Sequence, residues 1–339
     1  MKEILYKLSN FENLAKEEIK SAIRDIVEGR ATDAQIGAFI IATKMKGESV
    51  EEIEGAAEVF RELATKVHVS QGDDIVDTCG TGGDMQGTFN VSTITAFVLA
   101  GAGVKVAKHG NRSVSSKSGS ADLLEYIGAK IDLPPDKVAI MIEELGIGFM
   151  FAPIFHPAMK RVLAPRKEVG VRSVFNLVGP LSNPAGAKRQ LLGVFSERLV
   201  DKIAHALKGL GCKSALVVHG KDGIDEVSIS SATKIAHLRE SGEVLLYEFV
   251  PEDVGFKRYP LSSVCVSGVE ESAKIAISVL KGDESPAYYM VLLNAMFGLI
   301  VSGITEDKKT ALEMAKESIH SGKAYEKLTK FVEMSKRLW

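Results

Sequence analysis

Through the first seventy residues, apolar side chains recur every third or fourth position with polar ones between them. Ile19, Ile23 and Ile26 form one stripe, and Ile36, Phe39, Ile40 and Thr43 form another. That period predicts amphipathic helices. Ser9-x-x-Glu12, Thr32-x-x-Gln35 and Ser49-x-x-Glu52 match the capping box, in which a hydroxyl and an acid or amide three residues on cap each other's backbone N–H groups. A small helical domain is therefore expected over residues 1–70. From Asp73 the rhythm changes. Short β-rich runs at 75–77, 104–107, 130–133, 191–195 and 215–219 alternate with helical patterns at 92–100, 121–127, 136–145 and 198–210. Such alternation predicts a mainly parallel sheet with helices on both faces. Residues 234–247 read as a hairpin turning at 240–243, and 307–316 and 324–337 as amphipathic helices. The segment 164–184 carries Val174, Phe175, Leu177 and Val178 between basic residues; its pattern fits a helix and assigns it to neither domain.

Composition narrows the class. The 339 residues are 45% apolar, with 42 Lys plus Arg against 44 Asp plus Glu, which fits a folded two-domain protein. A net charge of −2 gives no electrostatic drive toward nucleic acid. Cys79, Cys212 and Cys265 lie far apart without metal-ligand spacing, so a reducing compartment fits. The charged first twenty residues lack the apolar core of a signal peptide, and the apolar run 290–301 is too short to span a bilayer. A cytoplasmic protein with no membrane association is expected.

The 31 glycines are unevenly spread, and the chemistry sits where they cluster. Asp77-Thr-Cys-Gly80-Thr81-Gly82-Gly83-Asp84 follows a predicted strand, and Asn90-Val-Ser92-Thr93 opens a helix. Backbone N–H groups in a glycine-rich turn, with a helix N-terminus beside them, suit phosphate. Two familiar phosphate loops do not fit: a dinucleotide fingerprint needs glycine at Met85, and a P-loop needs lysine at Thr88. The plainer reading is a tight turn without a ligand. A second loop, Lys108-His-Gly-Asn-Arg-Ser-Val114-Ser115-Ser116-Lys117-Ser-Gly-Ser120-Ala-Asp122, is rich in cations and hydroxyls. Charged runs are usually solvated, but this one lies at the carboxyl end of a strand, where open α/β sheets bind ligands. The ligand expected across both loops is heavily anionic, with more than one phosphate. Asp225-Glu226 follows another strand; adjacent carboxylates there suit Mg²⁺ bridging to phosphates, or are surface acids in a turn. Arg166 reads by itself as a surface residue, His156 as a packed one, and Cys79 as a small filler.

Taken in order, Gly80-Thr-Gly-Gly-Asp84, Asn90-Val-Ser-Thr93, Lys108-His-Gly-Asn-Arg112, Gly179-Pro180-Leu-Ser-Asn183-Pro184 and Asp225-Glu226 resemble the motif set of the anthranilate phosphoribosyltransferases, over essentially the whole chain. The resemblance implies an α/β fold of the nucleoside phosphorylase/phosphoribosyltransferase type. A small helical domain (1–70, joined by part of 164–190) would accompany a larger domain (71–339) with a mainly parallel, mixed central sheet flanked by helices, the site lying in the cleft between them. It also implies a homodimer through the small domain and transfer of phosphoribose from 5-phosphoribosyl 1-diphosphate (PRPP) to anthranilate with Mg²⁺, by electrostatics and positioning rather than by an acid or base. PRPP would be held by Gly80, Thr81, Gly82, Gly83, Asp84, Thr88, Asn90, Ser92, Thr93, Lys108 and Ser120. Anthranilate would meet Gly80, His109, Asn111, His156, Arg166 and Pro180, and Mg²⁺ would meet Ser92, Asp225 and Glu226. The alternatives are a pyrimidine nucleoside phosphorylase and a non-catalytic, nucleic-acid-binding relative.

Overall fold

The computed structural model describes residues 1–70, 74–113 and 117–339; Asp73 and the Val114, Ser115 and Ser116 of the second loop lie outside them. Four helices come first: α1 (Lys2–Ser9), α2 (Lys16–Val27), α3 (Asp33–Lys46) and α4 (Val50–Leu63). Two of the three expected caps form. Thr32 Oγ1 accepts from the Gln35 N–H at 3.3 Å while Gln35 Oε1 accepts from the Thr32 N–H at 3.0 Å, and Ser49 and Glu52 do the same. The Ser9 box does not: Ser9 ends α1, and its hydroxyl donates back to the Tyr6 carbonyl at 2.7 Å. A hydroxyl in a last helical turn finds a carbonyl behind it, so the same four-residue spacing there carries no helix start.

Among the described residues that follow, seven strands form one sheet in the order β3-β2-β1-β4-β5-β6-β7. The strands are β1 (Val76–Gly80), β2 (Val106–Gly110), β3 (Ile147–Phe151), β4 (Arg189–Gly193), β5 (Ser214–Gly220), β6 (Thr233–Leu238) and β7 (Val244–Phe249). The first five are parallel, and β6 and β7 add the expected antiparallel hairpin. One expected strand is replaced by another. Residues 130–133 bury Ile131 and Leu133 without joining the sheet, and Ile147–Phe151 pairs with β2 instead.

Helices α5 (Val91–Gly101), α6 (Ser120–Tyr126), α7 (Pro135–Ile140), α8 (Ala152–Phe155), α9 (Lys160–Val169), α10 (Val174–Leu177), α11 (Leu199–Gly209), α12 (Val269–Leu280), α13 (Pro286–Ser302), α14 (Lys308–His320) and α15 (Lys323–Leu338) complete the fold. The unassigned segment becomes α9 and α10. Phe175 of α10 packs against Phe39 of α3 and Phe60 of α4, with ring centroids 6.2 Å apart in each case. Arg161 of α9 pairs with Asp33 at 2.7 Å.

Two hydrophobic cores result. One joins β1–β3 to α5, α12, α13, α14 and α15. The other runs from α2, α3 and α4 through Val162, Phe175 and Leu181 to α11 and to Leu192, Val194, Ala215, Val217, Ala236 and Leu238 of the sheet region. Among the described residues no helix is long and apolar enough to cross a membrane.

Candidate active site

Strands β1, β2, β4 and β5 all end in glycine: Gly80, Gly110, Gly193 and Gly220. From β1 the sheet grows through β2 and β3 on one side and through β4 and β5 on the other, so the β1/β4 boundary is a topological switch point. Open α/β sheets bind ligands beyond the carboxyl ends of their strands at such a point. Loops after β1, β2 and β5 meet here. The acidic loop after β5 lies directly on the ends of β1 and β4: a Cβ on Gly193 would overlap the Asp225 backbone carbonyl, and one on Gly80 would overlap the Asp225 carboxylate. Only glycine at both positions permits that seat.

The seat fixes the acids. Asp225 Oδ2 accepts from the Gly82 N–H at 2.8 Å, and Glu226 Oε1 accepts from the Ser92 N–H at 3.1 Å, in the first turn of α5. In the glycine loop, the Thr81 N–H donates to the Gly193 carbonyl at 2.9 Å, while its Oγ1 accepts from the Phe195 N–H at 3.0 Å. Gly82 and Gly83 follow with φ of +64° and +73°. Asp84 Oδ1 accepts from the Gln86 N–H at 3.2 Å, and Thr88 forms an antiparallel bridge with Cys265.

Lys108 reaches beneath this loop. It is buried, donating to the Thr78 carbonyl at 2.5 Å and to Ser92 Oγ at 3.2 Å. Burial lowers its pKa, while Asp77, Cys79 and Glu226 act in the opposite direction. Asn90 is held on both sides: its Nδ2 donates to the Ser118 carbonyl at 3.0 Å, and its Oδ1 accepts from Ser118 Oγ at 2.7 Å and Ser272 Oγ at 2.8 Å. Thr93 is buried, its hydroxyl without a partner among the described residues.

Burial raises both acids of the pair. Asp225 is pushed up to about 7, with the Asp84 charge adding to desolvation, and Glu226 is pushed well above its usual value by desolvation and by Asp225. Two carboxylates crowded in one low-dielectric place, with Lys108 as the buried counter-charge, call for a further cation. The described residues contain no cluster of three or more Asp, Glu, His or Cys fit to cage a metal. Mg²⁺ needs none, because it commonly takes one or two carboxylate oxygens and completes its shell with water and substrate phosphates. Asp225 and Glu226 fit it.

On the other side of Lys108, His109 and His156 stack edge to face with ring centroids 4.8 Å apart, and both Nε2 atoms are buried without partners among the described residues. Desolvation, then His156 and Lys108, lowers His109 well below the usual histidine range; desolvation, then Lys66, lowers His156 to about 4. Both rings are therefore neutral near pH 7. The Asn111 side chain accepts from the Arg112 N–H at 2.8 Å, and its carbonyl accepts from Ser120 Oγ at 3.3 Å. The Pro180 carbonyl accepts from Gln190 Nε2 at 2.6 Å. Arg166 on α9 is half-buried, its pKa lowered by desolvation, with no ion pair or hydrogen bond from its guanidinium to the described residues. Arg112 is different. It is committed to Asp122 and Glu125 and lies over the Phe151 ring at 5.5 Å, so it adds little positive charge to the cleft.

A buried network beneath the site was not legible as functional in the sequence. The Asp77 carboxylate accepts from Asn183 Nδ2 at 2.8 Å and from the His109 N–H at 3.3 Å, tying the Gly179–Pro184 segment to β1 and β2. The signal was Asn183 inside a Gly-Pro and Asn-Pro framed turn.

Residues 2–64 match a family model described as the glycosyl transferase family helical bundle domain, and residues 72–325 match its a/b domain. The anthranilate phosphoribosyltransferase of Aquifex aeolicus is 61% identical over 338 residues, covering 100% of this chain and 99% of the relative. The chain belongs to the anthranilate phosphoribosyltransferase family. This is a glycosyl transferase family of tryptophan biosynthesis, with a helical bundle joined to a mixed, mostly parallel sheet. The crystal structure of the family member from Thermus thermophilus superposes with a TM-score of 0.91 at 41% identity, covering 98% of this chain and 99% of that one. The family member from Saccharomyces cerevisiae, solved in complex with PRPP and Mg, gives 0.89 at 29% identity, covering 99% and 97%.

Proposed function

We propose that this chain transfers the 5-phosphoribosyl group of PRPP to the amine of anthranilate, yielding N-(5-phosphoribosyl)anthranilate and diphosphate, in the cytoplasm. The observation that carries this reading is the meeting, at one switch point, of the Gly80–Asp84 loop, the buried Lys108 and the paired acids Asp225 and Glu226. The family relationship and the yeast relative's PRPP and Mg support the choice of donor and ion.

In this reading the C1–O bond to diphosphate breaks, the amine nitrogen bonds to C1, and that nitrogen releases a proton. The Gly80–Gly83 loop, whose glycines let phosphate approach the backbone closely, holds the donor with Asp84, Thr88, Asn90, Ser92, Thr93 and Lys108, and Ser120 supports it from the second loop. Such preorganised donors favour charge that develops as the leaving group departs. Mg²⁺, when bound by Asp225 and Glu226 beside Ser92, supplies positive charge to the phosphates. Arg166, unpaired, takes the anthranilate carboxylate. Asn111, Gly80 and Pro180 border the ring, and His109 and His156 present neutral faces to it. An aromatic amine is already neutral near pH 7, so orientation against C1 is the remaining task.

Residues 1–70 with part of 164–190 form one unit in this reading and 71–339 the other. The first unit also carries the homodimer surface. Tyr6 on α1, Ile41 and Met45 on α3 and Leu163 on α9 are exposed apolar side chains on adjacent helices.

The test is loss of anthranilate fluorescence on adding PRPP and Mg²⁺. No loss, with uridine phosphorolysis or single-stranded DNA binding instead, overturns the proposal. Arg166→Ala should raise the KM for anthranilate about tenfold or more and leave that for PRPP nearly unchanged.

A further inference from the structure

A second arginine stands on the same segment as Arg166. Helix α9 stops at Gly170, whose φ of +69° turns the chain, and Arg172 follows two residues later, just before α10. Its guanidinium lies over the Phe195 ring at 4.6 Å. Its Nε is 3.2 Å and its Nη2 3.5 Å from where a Cβ on Gly83 would stand, so it touches the bare Cα side of the glycine loop. Phe195 is fixed to that loop through its N–H to Thr81 Oγ1. Arg172 is thus held between an aromatic face and the loop that meets the donor.

Arginines that tie this fold together show their partners. Arg61 donates to the Leu181 and Leu210 carbonyls, Arg161 pairs with Asp33, and Arg112 with Asp122 and Glu125. Arg172 makes no ion pair and no hydrogen bond to the described residues. A half-buried guanidinium, steered by stacking and left with free N–H donors beside a phosphate-binding turn, is arranged for an anion that the protein does not itself contain.

We propose that Arg172 is a donor-binding residue: its guanidinium contacts phosphate oxygens of the phosphorylated donor beside Gly83 of the glycine loop. The inference rests on the PRPP reading above and deepens it. Arg166 and Arg172 then divide one segment between the two substrates, one anion each. Arginine suits the position because its flat cation can stack on Phe195 and still present a forked edge, which lysine cannot do.

The experiment compares wild type, Arg172→Gln and Arg172→Lys in steady-state kinetics, in binding of inorganic diphosphate with Mg²⁺, and in thermal melting. Arg172→Gln should raise the KM for PRPP and the Kd for diphosphate about tenfold or more, with the KM for anthranilate within about twofold of wild type. Arg172→Lys should recover part of the loss. An unchanged PRPP KM and diphosphate Kd would overturn the assignment. So would equal increases in both KM values together with a lowered melting temperature, which marks a merely structural role. Failure of the PRPP reading looks different: the wild type would then not consume anthranilate with PRPP, while the diphosphate comparison would still decide the role of Arg172.

Discussion

With divalent ions removed, the Asp225 carboxyl should cost the protein stability as pH rises. Its carboxyl is pushed from 3.8 to about 7 by burial and by the Asp84 charge. A carboxyl whose folded-state pKa lies above its unfolded value favours the native state while protonated. Its contribution is fully present below pH 3.8 and is lost as pH climbs through about 7. The difference corresponds to about 4 kcal/mol at most, shared with Glu226 because the pair releases its protons jointly. Asp225→Asn keeps a side-chain oxygen to accept from the Gly82 N–H and removes the charge. Between about pH 5 and about pH 8.5 in EDTA, urea unfolding should show the wild type losing about 2–4 kcal/mol more than the variant, the opposing contributions of His109 and His156 being common to both. Adding Mg²⁺ should restore the wild type at the upper pH and barely affect the variant, since a ligand stabilises only the state that binds it. Equal pH slopes for the two proteins, or a variant that loses more than the wild type, would refute the reasoning.

Gly193→Ala should displace the acidic loop, because the new Cβ overlaps the Asp225 carbonyl; turnover should fall on the order of 10²-fold with the sheet still folded, and activity within a few-fold of wild type would remove the close-seat argument. His156, lowered from 6.5 to about 4, supports the fold as a neutral ring; that contribution is complete above pH 6.5 and lost as pH falls through about 4. Its imidazole NMR signals should therefore stay flat between about pH 5.5 and 8, and a midpoint near the ordinary histidine value would contradict its burial. Met45→Glu places a charge in the exposed apolar face of α3 and should give a monomer by sedimentation where the wild type gives a dimer; a monomeric wild type would end the dimer proposal.

Much of the fold was legible because its periods are clean. The Ile19 stripe and the Thr32 and Ser49 caps announce helices by local chemistry alone, and the glycine loop stands out because apolar strand and glycine-rich turn abut. The failures are non-local. Ile131 and Leu133 alternate as strand residues do, yet such alternation looks the same in an extended segment packed beside helices, and only the partner for β2 decides which run becomes β3. Ser9 satisfies a capping spacing from the wrong end of a helix. In the site, the residue types were readable but their directions were not. Lys108 turns under the loop, Arg112 turns to acids on α6, and Arg172 gave no signal beyond a cation after a helix-ending glycine. The Asp77–Asn183 contact joins residues 106 positions apart, and its only local trace is the Gly-Pro and Asn-Pro frame around Asn183.

The second core has a consequence for how the molecule comes apart. One continuous apolar mass starts in the N-terminal helices and ends on β6, passing through α11 on the way. The helical bundle is thus a lid on one face of the sheet as much as a domain in its own right. Cutting the chain near residue 64 would strip cover from Leu199, Ile203 and Leu207 and from the strands beneath them. The shorter product should be sticky and poorly folded, although the cut falls between two recognisable sequence modules. In a melt the bundle and sheet should unfold in a single step.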